Sequence, residues 1–559
     1  MKNNFKSVLL LKLPYCAHPD ALEKDHDFRT HAPFRPIPSL ALASLCAFID
    51  KYKKLAYSLK AVDINIEAYR EPDIPIDIMD YSGLLIECIR NNEYDVLALS
   101  AMFVYNVRWV DMAVSLSRKY HPNAKIIIGG GYPTLFPERC LNEHDIDDAV
   151  IGEGETTLLH ILNRYNDYDD DEFSRQFPFE SYASKNEAGE ITLSEKKSYF
   201  LDLANLPMPS WGYLNIEEYL RKSGMNILPM EGSRGCPYNC AFCCTFLSWG
   251  RRVRYKPVKH LIEEICEIYK RYKTMLHFVD DNLSFSKEWV TEFLNNFIDL
   301  KLPMILQASN FSVKRLDEDI IDLLIKAGMD EFSIAVESGS PEIQKLVRKN
   351  IDFDQVRKIV NLIKSKNKLV HINWMIGFPN ETIAQINATF NLAQELRAYH
   401  NQFLVVLPYP GTELFEYAKS QDLLIFKEDD LDKFDMRKCD YLKSEEWNYN
   451  QLQEMIYDKN IELNFLNNPL MDSVEGREHL RQYYENFLIR LPEHIIAHIV
   501  LGYIYRQNNF HIEFAKHYDA ASGLFMDKAL RTTFMRYLSW DHRIIDDFKQ
   551  YVADKNIVI

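Results

Sequence analysis

Cys236, Cys240 and Cys243 stand in a C-x3-C-x2-C spacing within RGCPYNCAFCCTF, with Cys244 directly behind. Three thiolates on one short loop can each hold one corner of a cuboidal iron–sulfur cluster, which leaves the fourth iron without a protein ligand. An open metal position is what catalysis needs and what a structural site avoids. A zinc knuckle asks for a fourth ligand, normally a second close cysteine pair or histidines. Cys244 is adjacent to Cys243, so both thiolates do not easily point at one ion, and no histidine follows before His260. Zinc and buried inert thiols are therefore the weaker readings. Other chemistry-bearing residues close apolar runs: Asp280 and Asp281 in FVDDN, Glu337 and Ser338 in AVESGS, Gly377, Phe378 and Pro379 in MIGFPN, Ser100 in VLALS, and Gly129, Gly130 and Gly131 in KIIIGGG. Each has a plain alternative: a helix N-cap for the aspartates, a salt bridge for Glu337, and a tight turn for the glycines.

These residues need elements to hold them. From about residue 226 the chain alternates strands (227–233, 276–280, 304–308, 331–336, 370–376, 403–407) with helices (258–272, 286–300, 317–327, 353–366, 383–399). Six βα units in a row predict a partial, open barrel, with the chemistry at the carboxyl ends of its strands. The cysteine run follows the first of those strands, where a catalytic loop belongs. Residues 1–165 alternate in the same way, with strands at 7–13, 57–64, 96–100, 125–128 and 149–151. That pattern predicts an open, doubly wound α/β domain, whose ligands sit at the strands' carboxyl ends. Ser100 and the three glycines lie at two such ends. Between about 163 and 223 the pattern breaks into an acidic run, NDYDDDEF, and a proline-punctuated connector, so 166–225 reads as a linker. The barrel then spans 226–420. Residues 421–559 lose strand character and read as helical. AHIVLGYIYRQNNFHIEFAKHYDAA resembles one tetratricopeptide unit, but one repeat cannot bury its own face; a helical cap or docking surface is expected.

Composition sets outer limits. The 559 residues carry a formal net charge of −16, which argues against sustained binding to a nucleic-acid backbone. Only 19 glycines occur, about half the usual share, so glycine clusters are informative. No apolar run is long enough to span a membrane. The first apolar run is short and contains Lys12, and no small-residue cleavage site follows, so it reads as a buried first strand rather than a signal peptide. Scattered cysteines then fit a reducing, cytoplasmic location.

The C-x3-C-x2-C run with Phe242 before its last cysteine resembles the radical S-adenosylmethionine superfamily. RVRYKPVKHLIEEI, FVDDNLSF, GMDEFSIAVESGS, MIGFPNET and LPYPGTELF follow in order. IPSLALASLCAFI, YDVLALSAMF, KIIIGGGYPTLFPE and IDDAVIGEGETTLLHIL resemble the branch with an N-terminal cobalamin-binding domain. The resemblance covers about residues 5–420. It implies a Rossmann-like cobalamin-binding domain, a partial (β/α)6 barrel and a helical C-terminal region. It also implies a four-iron four-sulfur cluster on Cys236, Cys240 and Cys243. S-adenosylmethionine would then meet the backbone of Phe242, the amino-group candidates Asp280 and Asp281, Glu337 and Ser338 at the ribose or methionyl group, and Gly377, Phe378 and Pro379 at the adenine. Ser100 and Gly129–Gly131 would line the groove for the cobalamin tail. One departure stands out: no Asp-x-His-x-x-Gly motif occurs, and His18 and His26 lack its spacing and glycine. Cobalamin is therefore expected without a histidine lower ligand.

The resemblance further implies a methyltransferase acting on an unactivated carbon through a deoxyadenosyl radical and methylcobalamin. Two alternatives stay open: a radical cyclisation, rearrangement or oxidation without methyl transfer, and a non-catalytic binding or sensor protein. An external electron donor of flavodoxin or ferredoxin type is expected. The substrate class (small molecule, lipid, peptide or carrier-bound), the acid–base or other catalytic side chains and the oligomeric state are not legible.

Overall fold

The computed structural model describes residues 5–15, 37–68, 80–177, 181–186, 188–194, 201–223, 226–309, 311–426 and 440–557. His18 and His26 lie outside them.

Five parallel strands build the first sheet: β1 (Ser7–Lys12), β2 (Ser58–Asp63), β3 (Val96–Ser100), β4 (Lys125–Gly129) and β5 (Asp148–Ile151). Their order is 2-1-3-4-5, so the winding reverses between β1 and β3 and opens a crevice at that carboxyl edge. Val8, Leu9, Leu10 and Leu11 are buried without alternation, as helices on both faces require.

Two antiparallel strands, β6 (Ser181–Lys185) and β7 (Ile191–Leu193), extend the sheet beyond β5. Both lie in the stretch that the sequence marks as a linker. Their sequences, SYASK and ITL, carry too little apolar alternation to announce a strand. The acidic run is also ordered. Asp170 caps the helix Asp171–Gln176, and Phe173 and Phe177 pack on Phe48 with ring centroids 6.4 and 5.5 Å apart. This stretch fastens onto the first domain rather than swinging between two.

The second unit comprises β8 (Ile227–Met230), β9 (Ser233–Arg234), β10 (Arg254–Tyr255), β11 (Met275–Phe278), β12 (Leu306–Ala308), β13 (Glu331–Glu337), β14 (Leu369–Ile376) and β15 (His400–Val405). Six of these form two parallel sheets, ordered 12-11-8 and 13-14-15, joined by a parallel bridge between Phe311 and Ile334. The strand expected at 227–233 stops at Met230. The chain then re-forms as β9, which pairs antiparallel with β10. Along β14 the residues alternate, with Val370, Ile372, Trp374 and Ile376 buried and their neighbours half-exposed. One face is buried in the core and the other stays half-exposed.

Helices follow: Tyr449–Asn460, a π-helical turn Ile461–Leu466, then Val474–Arg490, Ile495–Gln507, His511–Leu524, Lys528–Phe534 and Arg543–Asp554. The tetratricopeptide-like pair packs through Gly502, where a Cβ would stand 2.3 Å from the Tyr518 ring. The π-turn has a structural task. Asn464 Oδ1 accepts from the Asn401 amide at 2.8 Å, and its Nδ2 donates to the Asn401 carbonyl at 2.8 Å. One side chain thus completes the outer edge of β15 in place of a further strand. Asn464→Ala leaves both backbone groups of buried Asn401 unpaired. It is expected to cost about 1–3 kcal/mol, read as a lower urea midpoint at an unchanged m-value.

Candidate active site

The cysteine loop leaves the barrel at β9 and returns at β10. Gly235 turns it with φ 91°, and a Cβ there would stand 2.5 Å from the Arg252 carbonyl oxygen, so only glycine fits. The Cys243 amide donates to the Cys240 carbonyl at 3.2 Å. Between them the barrel pins Ala241 on both sides: its amide donates to Val347 O at 3.0 Å, and its carbonyl accepts from Leu414 N at 2.9 Å. Arg251 Nη1 donates to Tyr238 O at 2.8 Å, and Arg315 Nε to Tyr238 Oη at 3.3 Å. Phe242 is half-buried against the main core.

Cys236, Cys240, Cys243 and Cys244 are all free and half-buried. Burial pushes the Cys236 and Cys244 thiols up to about 11. Cys240 is also raised by burial, against the opposing charge of Lys349 and Lys314. The charges of Cys240 and Cys243 both act on Cys236, so the three thiols are neighbours. Among the described residues no three His, Cys, Asp or Glu side chains converge on a single ion position. A cuboidal cluster asks for one thiolate at each of three irons, and three neighbouring thiols on one loop fit that donor set.

The acidic residues divide in use. Asp280 is buried. Both its oxygens accept from the Gly232 amide at 3.1 Å, and Ser233 Oγ donates to Oδ1 at 2.5 Å. Its carboxylate thereby holds the turn between β8 and β9, and burial pushes it up to about 7. Asp281 is the more open of the pair. It accepts from the Gly235 amide and the Thr245 hydroxyl, burial raises it to about 6, and its charge reaches Cys236 and Cys244. Glu337 ends β13 with φ 72°, beside a register shift between Ala335 and Glu337. A non-glycine residue in that region is costly and is held by its surroundings. Lys349 Nζ binds Glu337 Oε1 at 2.5 Å, and both charges reach Cys240. Ser338 is fully buried, bonding Thr389 Oγ1 at 3.2 Å and accepting from the Ser340 amide at 3.1 Å.

At the end of β14 the Gly377 and Phe378 amides donate to Glu381 Oε2 at 2.6 and 3.0 Å. Phe378 and Pro379 are buried. Glu381 is not singled out by the sequence, although it stands within the quoted MIGFPNET run. Its Oε1 is buried without a hydrogen-bond partner, and burial pushes it up to about 7. A carboxyl group raised in the folded state stabilises the fold fully below its unfolded value, and that contribution is lost as pH rises through the folded value. Glu381 alone is expected to cost the parent roughly 3 kcal/mol of stability between pH 4.5 and pH 7.5. Glu381→Gln keeps the amide acceptor and removes that slope, which urea titrations across the range would show.

The first domain presents its switch-point edge to the loop. The Leu13 amide donates to Ser100 O at 3.2 Å, and the Ala101 amide to Gly129 O at 2.8 Å. Gly130 has φ 110°, and Cβ atoms at Gly130 and Gly131 would stand 2.4 Å from Ala101 O and 2.3 Å from Met102 O. These two glycines let the ends of β3 and β4 close on each other. Ser100 and Met102 keep part of their surface open there. Tyr409, from the loop after β15, hydrogen-bonds the Val104 backbone. Leu135 and Leu247 both close on Gly411. The carboxyl end of the first sheet therefore meets the loop that follows β15.

Behind the loop lies a buried ion network absent from the sequence reading: Glu153, Glu155, Glu231, Arg234, Arg254, Lys256 and Glu264. The GEGE run supplies Glu153 and Glu155, and the arginine opening RGCPYNC supplies its partner. No periodic pattern links the two.

Residues 230–393 match the model of the Radical SAM superfamily, and residues 67–162 match that of the B12 binding domain. The chain is 25% identical over 419 residues to cytidylyl-2-hydroxyethylphosphonate methyltransferase of Streptomyces wedmorensis, covering 67% of this chain and 76% of that one. It is 28% identical over 312 residues to an uncharacterized methyltransferase of Pyrococcus horikoshii, covering 56% and 66%. The fold is similar to that of the cobalamin-dependent S-adenosylmethionine radical enzyme OxsB, with TM-score 0.62 and 15% identity over 98% of this chain and 84% of that one. It is also similar to the radical S-adenosylmethionine methyltransferase TsrM of Kitasatospora setae, with TM-score 0.58 and 17% identity over 74% and 76%.

Proposed function

We propose that this chain, a radical S-adenosylmethionine protein with an N-terminal B12-binding domain, is a methyltransferase that acts on an unactivated carbon. The observation that carries the reading is the meeting of the two carboxyl edges. Tyr409 and Gly411 of the barrel lie against Val104 and Leu135 of the first domain, so groups held by either domain would face each other. The relatives from Streptomyces and Pyrococcus, both described as methyltransferases, support it.

Cys236, Cys240 and Cys243 would hold the cluster, and the Ser100 and Gly129–Gly131 edge would receive cobalamin. S-adenosylmethionine would lie between Phe242, Asp281, Glu337 and the Gly377–Pro379 turn. When bound, these groups supply a hydrogen-abstracting radical and a transferable methyl group. The chain's own residues do the rest. Ala241 is fixed between two of the three thiols, Lys349 holds Glu337, Glu381 fixes the amides of the Gly377–Phe378 turn, and the apolar contacts around Tyr409 exclude water. Asp280, engaged with Gly232 and Ser233, shapes the turn in front of the loop. An electron donor of flavodoxin or ferredoxin type would reach the half-exposed cysteine loop. Cysteines kept free would match a reducing cytoplasm. Among the described residues no helix is long and apolar enough to cross a membrane.

A second reading, radical cyclisation without methyl transfer, draws on the anaerobic magnesium-protoporphyrin IX monomethyl ester cyclase of Rubrivivax gelatinosus, 23% identical over 314 residues. One experiment separates the two. Anaerobic, reduced and reconstituted protein receives methyl-labelled S-adenosylmethionine with a small-molecule extract as substrate source. Deoxyadenosine together with a carbon-bound label in a product is the expected result. Deoxyadenosine with unlabelled product turns the reading to cyclisation, and absence of deoxyadenosine at full cluster occupancy overturns both.

A further inference from the structure

β9 and β10 close the neck of the cysteine loop, yet each is two residues long, and the ribbon pairs only Arg234 with Arg254 and Ser233 with Tyr255. A two-stranded ribbon of that length has little stability of its own. Both of its arginines instead point at one carboxylate from the other domain. Glu153 follows β5, is 4% exposed, and precedes the helix Gly154–Tyr165. Its Oε2 accepts from Arg234 Nη1 at 3.1 Å and from Arg254 Nη1 at 3.1 Å, and its Oε1 accepts from Arg254 Nη2. Glu155 and Glu231 each reach Arg234 at 2.7 Å. Glu153 thus joins the outgoing and returning strands at once, while its neighbours hold the outgoing strand.

We infer that Glu153 is a positioning residue for the metal-binding loop, a clasp supplied by the first domain that fixes the neck of 235–253. It acts through Arg234 and Arg254 and touches no thiol. The spacing of Cys236, Cys240 and Cys243 is then set by docking of the two domains and not by the barrel alone. The inference rests on reading these three cysteines as cluster ligands.

Glu155 is the internal control, because it is equally buried (5% exposed) and binds the same Arg234. Glu153→Gln and Glu155→Gln each remove one buried charge, but only the first releases both strands. In the metal-free protein, hydrogen–deuterium exchange over 235–253 is expected to rise about tenfold in Glu153→Gln and to stay near the parent rate in Glu155→Gln. After reconstitution, iron loss to a chelator and the electron paramagnetic resonance line shape of the reduced cluster are expected to change in the same order. Circular dichroism is expected to stay at the parent's. Equal effects from the two variants, or an unchanged loop in Glu153→Gln, would overturn the clasp. Should Glu153→Gln fail to fold, Glu153→Asp keeps the charge but shortens the reach, so it holds one arginine. Faster loop exchange with unchanged global stability supports the clasp, and unchanged exchange refutes it. A parent protein that takes up no cluster would refute the cysteine reading, while exchange in the metal-free protein would still decide the clasp.

Discussion

Cys236→Ala, Cys240→Ala and Cys243→Ala, made singly, are each expected to bring bound iron and sulfide close to background and reductive cleavage of S-adenosylmethionine below detection. Cys244→Ala is expected to retain both near the parent's level. The contrast follows from the loop. The three spaced thiols are neighbours on a backbone pinned at Ala241, and each would serve a different iron. Removing one leaves a corner that the adjacent thiol cannot take, because Cys244 opens the short helix Thr245–Trp249 and lies within electrostatic reach of Tyr409. Iron and sulfide analysis with the visible absorbance of anaerobically reconstituted protein reads the first part, and chromatography of deoxyadenosine reads the second. A Cys244 variant as damaged as the other three would refute this assignment of ligands.

The second large effect concerns Arg234. Its guanidinium is 4% exposed and binds three buried carboxylates, Glu153, Glu155 and Glu231. Arg234→Met removes the cation and leaves its partners short of positive charge in a poorly solvated place. Breaking a buried pair by deleting one member costs about 3–5 kcal/mol, a large share of a typical domain's stability. Denaturant titration is expected to show the loss, with little dependence on salt because buried pairs are poorly screened. Glu155→Gln in the Arg234→Met background should recover part of it, since the two sites are coupled. Additive losses in that double variant would mean that the carboxylates are not held by Arg234.

Much of the architecture was legible because parallel strands and their helices write strong patterns. The helix at 258–272 is found at those residues, and six barrel strands stand close to their expected places. The misses have physical causes. β6 and β7 are short, polar strands: β6 is held by pairing with β5, about thirty residues upstream, and β7 at the edge by pairing with β6. The expected strand at 227–233 spans two elements, because β8 ends at Met230 and the chain pairs again only at Ser233 and Arg234, after Glu231 and Gly232. At the site, residue types were visible but their obligations were not. Asp280 reads as a ligand or a cap, and the fold spends it on Gly232 and Ser233. Gly130 and Gly131 read as room for a ligand, and the fold also needs them for the close approach of the Ala101 and Met102 backbone. Glu153 and Arg234 lie 81 positions apart, and a contact between two charged residues so distant leaves no local trace.

The side chain that finishes β15 also sets a timetable for synthesis. Asn464 and Asn468, which bond the Asn401 and Tyr399 backbone, leave the ribosome about sixty residues after the strand they complete. Until then the barrel's last strand offers unpaired amides and carbonyls to any other extended chain. A nascent chain stalled in that interval lacks the two asparagine side chains that bond this edge and is exposed to self-association. Chains stalled before Asn468 has emerged should therefore go to aggregates more often than chains stalled after it has emerged.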